Sequence, residues 1–126
     1  MPRILLIEDD ALVAMAVEGQ IRDAGHGVIW ASSAWDAVAI LEYGPHDFEA
    51  LVTDIDLGPG PSGFDLADQA RAGRPDLPVV YVTGRPEAQF LQRGVPGSAL
   101  IRKPVRPFDV TQALGQVLAH RDACAA

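Results

Sequence analysis

Lysine and cysteine are almost missing from this chain: its 126 residues hold one of each, Lys103 and Cys124. A lone cysteine cannot close an intramolecular disulfide, so nothing in the composition asks for an oxidising compartment. Aromatic residues reach only 6%, and no apolar run approaches the ~20 residues of a membrane span. The four apolar residues 4–7 are expected to form a strand, not a leader or an anchor. Positive charge is also short, with 10 Lys+Arg against 17 Asp+Glu and a formal charge of −7. Polyanions are bound through Lys and Arg, so nucleic acid and anionic membranes are excluded as expected direct partners. What remains is 48% hydrophobic and 21% charged, the balance of one soluble globular domain over 1–126, expected in the cytoplasm.

Three short continuous apolar runs stand out: Ile4-Leu5-Leu6-Ile7, Ala50-Leu51-Val52-Thr53 and Val79-Val80-Tyr81-Val82. Continuity without alternation is the mark of strands covered on both faces of a parallel sheet. Weaker strands are expected at Val28-Ile29-Trp30-Ala31 and Ala99-Leu100-Ile101. Between them lie helical patterns. Leu12, Val13, Ala16, Val17 and Ile21 share one face ahead of Gly25, and Ser33 with Asp36 marks a second helix start. A third helix is expected from about Gly63 to Ala72, a short fourth after Pro86 to Arg93, and a fifth with Pro107 in its first turn. Five β-α repeats imply a doubly wound α/β fold with a five-stranded parallel sheet. Trp30 and Trp35 are read as packing residues, and His26, His46 and His120 as surface or loop positions.

In such sheets functional groups gather at the carboxyl ends of the strands. The first strand ends in Glu8-Asp9-Asp10, the third in Asp54-Ile55-Asp56, the fourth in Thr83-Gly84 and the fifth in Arg102-Lys103-Pro104. Carboxylates gathered at one edge repel one another unless a cation joins them. With oxygen donors and no His or Cys beside them, that cation should be hard, Mg²⁺ before Zn²⁺. A carboxylate is also a nucleophile towards phosphorus, giving an aspartyl-phosphate. Phosphoryl transfer needs a metal and cationic or hydroxyl donors on the equatorial oxygens. Asp54, a metal held by Glu8 and Asp9, Thr83 and Lys103 make up that set. Singly, each motif has a commoner explanation: Asp9 and Asp10 as a helix cap, Asp54 as a turn former, Thr83-Gly84 as a strand exit. Together, at one edge, they point to chemistry.

These four motifs, with Gly63 after the third, resemble the receiver domain of bacterial response regulators, in its chemotaxis-type single-domain form. The resemblance spans nearly the whole chain. It implies a flavodoxin-like (β/α)5 fold with strand order 2-1-3-4-5 and no output domain. It implies Asp54 as phosphoacceptor, and Mg²⁺ held by Asp9, Glu8, Asp54 and the backbone carbonyl of Asp56. Thr83 and Lys103 would bind the phosphoryl group, and the Lys103–Pro104 peptide would be cis. Asp56 and Arg85, each two residues past a key position, are expected to pair over the acyl phosphate and tune its lifetime. The chain departs from the family at Leu100, where receivers usually carry a Tyr or Phe, and at Val105 and Gly84. The surface around Leu100 and the last helix is the expected output face. The implied partners are a histidine kinase or histidine phosphotransfer protein and an unidentified downstream protein.

Competing readings are weighed by order and spacing. A haloacid-dehalogenase-like phosphatase shares the Asp54-Ile55-Asp56 pattern, but there the nucleophile pair ends the first strand. A nucleotide- or flavin-binding protein would need a glycine-rich turn after the first strand, which here is acidic. A phosphorylation-independent binding module would not need the full acid–Asp–Thr–Lys set. A signalling phosphoacceptor, not an enzyme acting on other substrates, is therefore the expectation.

Overall fold

The computed structural model describes residues 2–85 and 87–125, with the side chains of residues 124 and 125 outside that description. Pro86, where the fourth helix is expected to begin, and the Cys124 thiol thus lie outside the described residues. Strands and helices alternate: β1 (Arg3–Ile7), α1 (Ala11–Asp23), β2 (Gly27–Ala31), α2 (Ala34–Tyr43), β3 (Phe48–Asp54), α3 (Gly63–Gly73), β4 (Val79–Thr83), α4 (Ala88–Arg93), β5 (Ala99–Arg102) and α5 (Asp109–Ala125). The strands are all parallel and lie in the order β2-β1-β3-β4-β5. The doubly wound architecture read from the sequence is the one observed.

Side chains of successive strand residues leave opposite faces of the sheet and feed two cores. Leu5, Ile7, Leu51, Val79 and Tyr81 join Ala37, Phe64, Leu66 and Ala67 from α2 and α3. Ile4, Leu6, Ala50, Val52, Val80 and Val82 join Ala14, Val17, Ile21, Val110, Leu114 and Val117 from α1 and α5. Burial of each such Leu or Ile is worth about 2 kcal/mol, so these two layers hold the strand ends in place.

Local signals set the helix boundaries. The Asp10 carboxylate caps α1 by accepting from the N–H groups of Leu12 and Val13, and Ser33 caps α2 through the Asp36 N–H. Ser62 and Asp65 form a reciprocal capping box at α3. The start of α5 differs from expectation. Phe108 has φ of 70°, which no α-helix contains, so Pro107 sits in a turn and the helix begins at Asp109. The Asp109 carboxylate instead accepts from the Arg106 N–H at 2.8 Å, closing that turn.

Two more expectations need correction. Trp35 is 62% exposed and Trp30 46% exposed, so neither is a core residue. His26 does lie in a loop, but its ring is largely covered and set beside Glu49. None of the helices, among the described residues, is long and apolar enough to cross a membrane.

Candidate functional site

Sheet register places four strand ends around one shallow bowl. The last pairs are Ile7 with Thr53 between β1 and β3, Asp54 with Val82 between β3 and β4, and Thr83 with Arg102 between β4 and β5. Residues just past those pairs meet at the rim. The bowl, about 490 Å³, is lined by Asp9, Asp10, Asp54, Asp56, Gly84 and Lys103.

Asp54 is buried at its floor. Its Oδ1 accepts from the Asp56 N–H at 3.1 Å and its Oδ2 from Lys103 Nζ at 2.9 Å. The lone lysine also reaches Glu8 Oε1 at 3.2 Å, so one ammonium bridges two buried carboxylates. Glu8 turns its other oxygen to the Asp10 N–H at 3.2 Å. Burial pushes the Glu8 carboxyl up to about 7, neighbouring Asp54 adds to the rise, and Lys103 pulls back against it. Lys103 is thus the one ammonium facing the buried carboxyl groups of Glu8 and Asp54 among the described residues.

Carboxylate oxygens of Glu8, Asp9 and Asp54 lie within 4.8 Å of one another, with Glu8 and Asp54 buried and Asp9 exposed. All three donors are hard oxygens. That donor set, three carboxyl groups within reach of one another, fits a small divalent cation such as Mg²⁺.

Thr83 is buried at the end of β4, where its Oγ1 accepts from the Arg85 N–H at 3.0 Å. A hydroxyl that accepts keeps its own proton to donate. Backbone joins the two neighbouring ends, with Lys103 N–H donating to the Thr83 carbonyl at 2.7 Å. The Lys103–Pro104 peptide is cis, as is Gly44–Pro45. Asp56 and Arg85 form an exposed ion pair with Oδ2 and Nε 2.8 Å apart, at the edge of the bowl.

Leu100 is half-buried and stands opposite Tyr81 across the β4–β5 pair. The aromatic bulk absent at Leu100 is found one strand over. Tyr81 is fully buried, with its ring centroid 5.1 Å from Phe64 and 5.8 Å from Phe90, and its hydroxyl accepts from the Val95 N–H. A second groove, of about 540 Å³, runs from Leu100 along β5 to Gln116 of α5.

Sequence reading missed two contacts near the site. Lys103 is engaged by Glu8 as well as by Asp54, and the Trp30 indole N–H donates to the Glu8 carbonyl at 2.9 Å. The first is implied by two strand ends sharing one lysine. No local pattern signals the second.

Residues 4–115 match the family described as the response regulator receiver domain. The phyllosphere-induced regulator PhyR of Methylorubrum extorquens is 35% identical over 117 residues, covering 91% of this chain and 43% of that protein. The transcriptional regulatory protein QseB of Haemophilus influenzae is 30% identical over 121 residues, covering 94% of this chain and 53% of that one. The chain thus spans about half the length of the curated relatives it matches. A crystal structure of a response regulator receiver protein from Sinorhizobium medicae superposes with a TM-score of 0.88 at 32% identity, over 95% of this chain and 96% of that one.

Proposed function

This chain belongs to the response regulator receiver family, and from that premise we propose that it takes a phosphoryl group onto Asp54 and signals by binding another protein in that state. The observation that carries the reading is the convergence of Glu8, Asp9 and Asp54 with Lys103 at one sheet edge.

Glu8, Asp9, Asp54 and the Asp56 carbonyl would hold Mg²⁺. The metal, when bound, supplies positive charge to the transferring phosphoryl oxygens. Asp54 acts as nucleophile: a carboxylate oxygen forms the new O–P bond as the donor's N–P or O–P bond breaks and the donor leaves with its electron pair. Lys103, already 2.9 Å from Asp54 Oδ2, needs only a small shift to pair with a phosphoryl oxygen. Thr83 has a hydroxyl proton to donate at the next strand end. Leu100 lacks the bulk of the aromatic residue that receivers usually carry there, so any output passing through β5 proceeds by a different rearrangement. The donor is a histidine kinase or phosphotransfer protein, and the output partner is a protein that meets the face around Leu100 and α5. The chain transfers to itself and releases phosphate slowly, so it is not a phosphatase for other substrates.

Incubation with acetyl phosphate checks this reading. Uptake is expected to saturate at one phosphoryl group per chain with Mg²⁺ present and to vanish with chelator. Multiple turnover of small phosphate esters would instead support a phosphatase.

The Asp56–Arg85 pair yields a separate expectation. It lies at the edge of the bowl, where it would border the approach of water to an acyl phosphate on Asp54. An exposed pair is worth about 0.2–1 kcal/mol, which as a barrier term is roughly a one-and-a-half- to fivefold change in rate. Asp56→Ala and Arg85→Ala should each shorten the lifetime of phospho-Asp54 within that range, measured by phosphate release. Unchanged release rates in both variants would remove the pair from the account.

A further inference from the structure

Trp30 is an odd residue for its position. It lies on β2, the edge strand, and is 46% exposed, so packing explains little of so large a side chain. Among the described residues, its side chain makes a 2.9 Å hydrogen bond from the indole N–H to the backbone carbonyl of Glu8.

That carbonyl belongs to the peptide joining Glu8 to Asp9. The ladder on both sides of β1 ends one residue earlier, at Ile7, which is paired with Ala31 and with Thr53. Beyond Ile7 the chain turns out of the sheet. The Glu8 N–H still reaches the Ala31 carbonyl at 3.1 Å, and the Glu8 carbonyl reaches Trp30. The Glu8 side chain then accepts from the Asp10 N–H, and Asp10 caps α1. Rotation of the Glu8–Asp9 peptide plane would change the relative directions of the two side chains that flank it. Among the described residues, the Trp30 indole is the side-chain group bonded to that peptide from outside the segment.

We propose that Trp30 is a positioning residue for metal binding: its indole N–H fixes the Glu8–Asp9 peptide so that both carboxylates face Asp54. The inference rests on the reading of Glu8 and Asp9 as metal carboxylates and extends it to a residue on a neighbouring strand. Trp30 touches neither metal nor phosphoryl group and acts through the backbone alone.

Trp30→Phe removes the donor and keeps an aromatic ring. The Mg²⁺ dissociation constant, measured by calorimetry, should rise about three- to tenfold, as expected for one lost hydrogen bond that orients ligands. At saturating Mg²⁺ the maximal rate of phosphorylation by acetyl phosphate should stay within about twofold of the wild type. A dissociation constant unchanged in the variant, or a lost maximal rate with unchanged Mg²⁺ affinity, would overturn the proposal.

The wild-type chain supplies a second measurement that holds if the variant does not fold. In NMR, the Trp30 indole proton should exchange with solvent more slowly than that of exposed Trp35, and should shift as Mg²⁺ is added. Equal exchange with no shift would overturn it. A wild-type chain that takes up no Mg²⁺ at millimolar concentration would defeat the metal reading itself. That failure is recognised because the unaltered protein, and not the variant alone, fails to bind.

Discussion

Lys103→Met is expected to cut the rate of phosphoryl uptake from acetyl phosphate by about 100-fold or more at saturating Mg²⁺, with the fold retained. Lys103 is the only lysine in the chain, and its ammonium lies 2.9 Å from Asp54 and 3.2 Å from Glu8. In phosphoryl transfer the protein's contribution is chiefly positioning and electrostatic stabilisation of charge on the equatorial oxygens. Removing one preorganised donor from such a site costs roughly 10²–10³ in rate. The side chain is three-quarters covered, so water cannot replace its charge at the same place. Lys103→Arg should recover only part of the loss, because a planar fork does not occupy the position of a compact ammonium. Stopped-flow or quench measurements on the three proteins, with circular dichroism as the check on folding, decide the matter. Equal rates in wild type and Lys103→Met would remove the lysine from the mechanism.

The second large effect is structural and comes from a residue with no side chain. At Gly63, the first residue of α3, an added Cβ would lie 2.2 Å from the Asp54 carbonyl oxygen and 2.9 Å from the Asp54 carbonyl carbon and the Ile55 Cα. These are backbone atoms at the end of a central strand, not the end of a flexible side chain. The Gly63 N–H also donates to the Ile55 carbonyl at 2.9 Å, so the helix start and the strand exit are tied together. Gly63→Ala must push them apart. It should destabilise the chain by about 3 kcal/mol, at the upper end of the cost of overpacking, seen as a lower urea midpoint. Because the clash falls on Asp54, phosphorylation of the folded fraction should fall as well. An alanine variant with the wild-type midpoint would show that the contact is looser than described.

Much of the fold was legible because its strands are buried on both faces. Continuous runs such as Ile4-Leu5-Leu6-Ile7 and Val79-Val80-Tyr81-Val82 have few alternatives in a chain of this length. The same property exposed the site, since polar residues that follow directly on such runs, Glu8, Asp54 and Thr83, must lie at a sheet edge, and Lys103 follows the weaker fifth run after one intervening residue. What escaped was set by tertiary contact. Pro107 is compatible with either a helical first turn or a tight turn, and the left-handed backbone of Phe108 settles the choice. Tryptophan is usually covered, which favours packing at Trp35, yet this one sits at the exposed start of α2 with only the loop at Gly60 against its ring. The Trp30–Glu8 bond joins residues 22 apart and depends on the β1–β2 register, which no window of local sequence contains. His26 likewise meets Glu49 only once β2 and β3 flank β1.

The central claim is that Asp54 is a phosphoacceptor. Its most direct test is to phosphorylate the chain with acetyl phosphate and Mg²⁺, reduce the acyl phosphate with borohydride, and locate the product by peptide mass spectrometry. The account predicts one modified residue per chain, at Asp54, absent with chelator and absent in Asp54→Asn. Modification at another residue, or none at Asp54 with any small-molecule or protein phosphodonor, would contradict it.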